Sequence, residues 1–161
     1  MTMMDEQRFW SLMELAWQAV GGRSEPREKL AQGKLSDEGA AELSEALDEV
    51  LPALHDELSA LPADELLAFD RILERKLYEI DRTEVQRHTD GSDDGFLYAR
   101  GFIVAMGKAY FDAVHSKPSV ARMDLESEAM CYLSWHLYEE KFGVAPASGI
   151  SRETGSNKAG W

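Results

Sequence analysis

Ser36–Leu61 reads SDEGAAELSEALDEVLPALHDELSAL, and its periodicity decides the fold. Leu43, Leu47, Val50, Leu51, Leu54, Leu58 and Leu61 recur at helical spacing. At about 100° per residue they fall within roughly 50° of one direction. Glu38, Glu42, Glu45, Glu49 and Asp56 form a band about 160° away by the same geometry. A leucine stripe backed by a carboxylate stripe describes a helix with one face in a core and the other in water. Ser36 is placed to cap it, and the acids that follow suit the positive end of the helix dipole. Pro52 lies inside the pattern; lacking a donor and crowding the preceding turn, it predicts a kink or a division.

Working outward, four more helices follow from period and punctuation. Asp5 can cap a first one, with Phe9, Leu12, Met13, Ala16 and Val20 on one face, Trp10 and Trp17 widening it, and Gly21-Gly22 as the stop. Residues 23–35 read as a polar connector. Pro62 fits the first turn of a third helix carrying Leu66, Phe69, Leu73, Leu77 and Ile80, which fades near His88. Thr89-Asp90-Gly91-Ser92 is turn chemistry, and Asp93 or Asp94 can cap a fourth helix at about 95–115. Its only charges are Arg100, Lys108 and Asp112, which places it in the middle of a bundle. Gly101 and Gly107 allow close approach of neighbours, and Gly107 a bend. A fifth helix at about 125–142 ends at Gly143 in C-cap position. Residues 144–161 have no period and read as a flexible tail. No stretch alternates as a strand does, and no repeat is found. The expectation is an all-α, single-domain bundle of about five helices over residues 1–143, around a central apolar helix.

The chain has 161 residues, 44% of them hydrophobic, too many for a disordered polymer. Thirty acids against 17 bases, a formal charge of −13, argue against nucleic acid, whose phosphates need clustered Lys and Arg. One cysteine, Cys131, excludes an intrachain disulfide framework and a Cys-based zinc knuckle. Met1–Arg8 lacks a basic-then-apolar signal pattern, and the longest strongly apolar run, 101–107, is far too short to span a bilayer. These features predict a soluble cytoplasmic protein without a membrane or nucleic-acid partner; they set no oligomeric state.

The acidic excess is concentrated. Residues 36–70 hold Asp37, Glu38, Glu42, Glu45, Asp48, Glu49, Asp56, Glu57, Asp64, Glu65 and Asp70, and no Lys or Arg. Neighbouring pairs Glu38–Glu42, Glu42–Glu45 and Glu45–Glu49 each cost about 0.2–0.5 kcal/mol on a helix. A band of that kind solubilises a face, steers and docks a basic partner protein, or binds a multivalent cation.

Other chemistry is sparse. A calcium loop beginning at Asp90 would place Ser92, Asp94 and Gly95 well, but its closing position, which requires Glu, is Gly101. Asp112-x-x-His115 has the spacing of half a di-metal motif, and no second copy is present. Cys131 and His136 lie five apart, nearly on opposite sides of one helix. Glu126 and Glu128 fit a helix's first turn, and Trp10, Trp17, Phe96, Phe102, Tyr110, Phe111, Trp135 and Tyr138 read as core. No catalytic residue, metal site or cofactor is predicted.

Four ordered elements resemble a known family: Asp5-Glu6-x-x-Phe9-Trp10-x-Leu12; Gly91-Ser92-Asp93-Asp94-x-Phe96; Arg100-x-Phe102-Ile103-Val104-x-x-Gly107; and Glu126-Ser127-Glu128 followed by Tyr138-Glu139-x-Lys141-x-Gly143. Together they are similar to the bacterial domain-of-unknown-function family numbered four-two-four-zero, also met beside WGR domains. The resemblance covers about residues 5–143. It implies a helical domain and brings no activity with it.

The leading functional expectation is a non-enzymatic interaction or regulatory module that docks a basic partner through residues 36–70, with Glu38, Glu42, Glu45, Glu49 and Asp56 as the contact band. The alternative is a small-molecule or enzymatic site near the start of the fourth helix, built from Trp10, Asp93, Asp94, Arg100 and Glu128.

Overall fold

Asp5 accepts a hydrogen bond from the Arg8 N–H at 2.8 Å and opens helix α1 (Glu6–Gln18). The computed structural model describes residues 3–89, 91–147 and 149–161. Within them follow α2 (Ser24–Ala31), α3 (Asp37–Ser59), α4 (Ala63–Glu79), α5 (Thr83–Gln86), α6 (Asp93–Ala105), α7 (Lys108–Ser116) and α8 (Glu128–Phe142). The described residues contain no strand, so the all-α class holds, with eight α-helices in place of about five.

The leucine stripe of α3 is buried along its length, from Leu43 to Leu58, and Ser36 caps the helix through the Gly39 N–H at 3.0 Å. Pro52 does not divide it; α3 is assigned continuously on both sides. The inward face of α3 packs on α1 and α8, and α8 packs on α4 and α6 as well. Gly101 on α6 is what lets α8 come so near. A Cβ there would lie 2.5 Å from the Ser127 carbonyl oxygen and 2.6 Å from Cys131 Sγ.

The additional helices have distinct causes. The apolar stretch at 95–115 is two helices, because Gly107 adopts φ +102°, a conformation that L side chains rarely take, and ends one run before the next begins. Ending α6 inside the molecule exposes terminal carbonyls that need donors. Trp17 Nε1 donates to the Ala105 oxygen at 2.8 Å, and Arg27 donates to the Met106 oxygen from Nε at 3.0 Å and Nη2 at 2.9 Å. Arg27 also stacks over the Trp17 ring, 4.6 Å from its centroid. The supposed polar connector is therefore the short helix α2, which buries only Leu30 and presents Arg27 to the break. The third helix ends at Glu79 rather than near His88, and α5 is a single turn after the buried Asp81.

Ser92, not Asp93 or Asp94, caps α6, accepting from the Gly95 N–H at 2.9 Å. Asp90, the first residue of the calcium loop weighed above, lies outside the described residues. α8 begins at Glu128 behind Ser127, slightly later than expected, and Gly143 closes it with φ +76°.

The largest departure concerns the C-terminal segment. Residues 149–161 lie against α4, α6 and α8, in contrast to the expected flexible tail (Ser148 lies outside the described residues). Arg152 is 7% exposed and pairs with the fully buried Asp70. Asp81 accepts from the Gly155 N–H at 3.0 Å and the Asn157 N–H at 2.9 Å. The Trp161 indole donates to Asp81 and meets the edge of Phe96. Polar anchoring, not an apolar stripe, holds this segment, so periodicity carries no sign of it.

Candidate functional site: an acidic-rimmed groove between two helices

α3 exposes its carboxylates because its leucines occupy the opposite side. Glu38, Glu42, Glu45, Glu49 and Asp56 are all exposed, as the period predicts. Among the described residues, three of the eleven acids in residues 36–70 pair with arginines: Asp37 with Arg122, Glu65 with Arg8 and Asp70 with Arg152. Among the described residues, no Lys or Arg forms an ion pair with Glu38, Glu42, Glu45, Asp48, Glu49 or Asp56. Asp56 lies 3.9 Å from the His55 ring. The arginines of residues 71–87 do not reach this band; Arg82, for example, turns to Glu84 and to the His115 carbonyl. The electronegative unit is thus α3 itself rather than the whole of residues 36–70.

Tertiary packing adds a concavity to that charge. Where α3 meets the start of α8, Leu47, Leu51, Pro52, Ala129 and Leu133 form the apolar floor of a groove of about 490 Å³. It runs on into a hollow of about 340 Å³ that shares Leu47, Asp48, Leu51 and Ala129. Glu45, Asp48 and Asp56 rim it from α3, and Glu126 and Glu128 from the other side. Glu128 is the first residue of α8, where its charge suits the helix dipole. The Tyr98 phenol is pushed above its ordinary range by burial first, then by the charges of Glu128 and Asp94.

The structure thereby joins Glu45 and Asp56 of one expected site to Glu128 of the other, and adds Asp48 and Glu126. Glu38, Glu42 and Glu49 continue the acidic face beyond the groove. The added residues were visible as acids in the sequence, but only the crossing of α3 and α8 brings them together.

The alternative set does not assemble. Trp10 packs against Phe9 and Phe111 and borders a separate groove on α1 with Leu15 and Lys108. Asp93 and Asp94 are exposed in the first turn of α6. Arg100 is fully buried and bonds carbonyl and hydroxyl oxygens. It donates to the Leu77 oxygen at 2.9 Å, the Arg152 oxygen at 3.1 Å and Thr154 Oγ1 at 3.2 Å, and stacks on Phe96. Desolvation lowers its pKa, with the Asp81 charge opposing. Thr154 links it to the Asp93 carbonyl, but no hydrogen bond or ion pair joins Arg100 to Asp94 or Glu128 among the described residues.

Cys131 is buried beside Leu97, with its thiol pushed up to about 12 by burial, which disfavours the thiolate a nucleophile needs. His136 stands exposed on the same helix against Trp135 and Tyr132. Asp112 is engaged by Lys108 at 2.5 Å. Among the described residues no helix is long and apolar enough to cross a membrane.

The chain belongs to the DUF4240 family, described as a protein of unknown function, whose match covers residues 4–140. No curated protein and no solved structure matches it.

Proposed function

We propose that this DUF4240 member is a non-enzymatic docking module whose α3–α8 groove receives a basic, amphipathic segment of a partner protein. One observation carries the reading: an apolar floor is rimmed from both sides by carboxylates, and those of α3 lack Lys or Arg partners among the described residues. An apolar ridge of the partner would displace water from Leu47, Leu51 and Leu133, while its Lys and Arg side chains meet Glu45, Asp48 and Glu128. Helix-in-groove binding divides the work in this way, with apolar anchors giving affinity and charge giving orientation and encounter rate. A cytoplasmic setting goes with this reading, supported by a single buried cysteine that has no second cysteine to pair with.

The test is binding of a labelled, helix-forming Lys/Leu peptide, compared between the native chain and the variant Glu45→Gln/Asp48→Asn/Glu128→Gln. Removing rim charges is expected to weaken binding about tenfold or more at low salt, with the difference shrinking as salt screens it. Equal affinities at low salt would overturn the proposal.

A further inference from the structure

α4 places Asp70 and Glu74 four residues apart, on one face, and both side chains are buried, at 0% and 1% exposure. Two buried carboxylates demand a cation, and α4 and α8 supply none at this point. Arg152 supplies it from outside the helical bundle. Its Nη2 donates to Asp70 Oδ2 at 2.6 Å and lies 3.8 Å from Glu74 Oε2, while Nη1 donates to the Cys131 carbonyl. Ser134 donates to the other Asp70 oxygen at 2.7 Å, and the Tyr132 ring lies 5.9 Å from the guanidinium carbon. Planar guanidinium recognition of this kind fixes geometry as well as charge.

The rest of the segment turns at Glu153–Ser156 and ends in a short 3-10 helix at Lys158–Gly160, and it is held by polar contacts on both sides of the turn. Glu74 accepts the Gly149 N–H, Asp81 accepts those of Gly155 and Asn157, and Thr154 bridges Arg100 and the Asp93 carbonyl. Every group of the slot lies within residues 70–134, inside the family match; the inserted segment lies beyond residue 140.

We propose that the slot between α4 and α8 is a binding site for the arginine of a turned peptide segment, closed in cis by residues 149–161, and that its occupant in trans is the same segment of a second copy of this chain. A second copy is the partner that carries Arg152, Thr154, Gly155 and Asn157 in the required register. Exchange remakes the same contacts between chains that already exist within one.

The test uses the full chain carrying Arg152→Gln and a fluorescein-labelled peptide of residues 149–161. The variant, its slot vacated, is expected to bind the peptide roughly thirtyfold or more tightly than the native chain does, and a peptide with Gln in place of the arginine is expected to lose that advantage. The native chain, in which exchange fills both slots, is expected to dimerise at high concentration by light scattering, and the variant to stay monomeric. A folded variant that ignores the peptide, or takes the Gln form equally well, overturns the site. Peptide binding without the native dimer overturns the second copy as occupant. Should the variant fail to fold, refolding with the arginine peptide is expected to restore its helical signal; failure to do so means that Arg152 is a fixed part of the core and overturns the proposal.

Discussion

Arg152 and Asp70 meet at 2.6 Å inside the molecule, although 82 residues separate them along the chain. Each side chain would be costly alone in this environment, since a buried charge without a partner loses its hydration and gains nothing in return. Replacing Asp70 with Ala is expected to destabilise the fold by about 3–5 kcal/mol, whereas replacing all three charges together, Asp70→Leu and Glu74→Met with Arg152→Met, recovers most of the loss. Urea unfolding of the two variants checks this.

Gly101→Ala concerns shape alone. Its Cβ would press on the Ser127 backbone oxygen, which cannot move without shifting the start of α8. A loss of about 1–3 kcal/mol is expected, measured as a lower denaturation midpoint with an unchanged urea slope. An unaffected midpoint would show that the α6–α8 spacing is looser than the backbone distance implies.

Cys131 makes stability depend on alkaline pH. Burial raises its pKa from the ordinary 9.0 to about 12 in the folded chain. Between those values the unfolded chain releases a proton that the folded chain retains. Its contribution is therefore fully present below about pH 9 and falls as pH rises toward 12. Cys131→Ala should flatten that decline in urea titrations at successive pH values. Iodoacetamide should label the native thiol slowly at pH 8.5 and rapidly in urea.

Glu45→Lys is expected to move stability and binding in opposite directions. It removes repulsion with Glu42 and Glu49 and replaces it with attraction, a gain of about 1 kcal/mol visible in thermal melts. The same change puts a cation on the rim of the α3–α8 groove, so binding of the basic Lys/Leu peptide should fall. A variant that gains stability and keeps full affinity would separate the acidic face from docking.

Much of the fold was legible because helix signals are local. Capping by Asp5 and Ser36, the stop at Gly143 and the leucine face of α3 depend on residues within about four positions of one another, the reach of a helical hydrogen bond. The break at Gly107 was half-legible: glycine marked a weak point, but full separation of α6 and α7 requires Arg27 and Trp17 to take up the freed carbonyls. The short α2 has too few apolar residues for a readable stripe, and Leu30 alone anchors its buried side.

From its sequence alone the chain determined an all-α bundle and an outward band of carboxylates on α3, because periodicity sets which side of a helix faces water. Tertiary structure decided that this band borders a groove between α3 and α8, that Arg100 bonds carbonyls, and that residues 149–161 lie against α4, α6 and α8 with Arg152 buried. The physical reason is the same in each case. Hydrophobic pattern acts within an element, whereas the partner of a buried charge or polar backbone group is set by which distant segment the packed helices bring within about 3 Å.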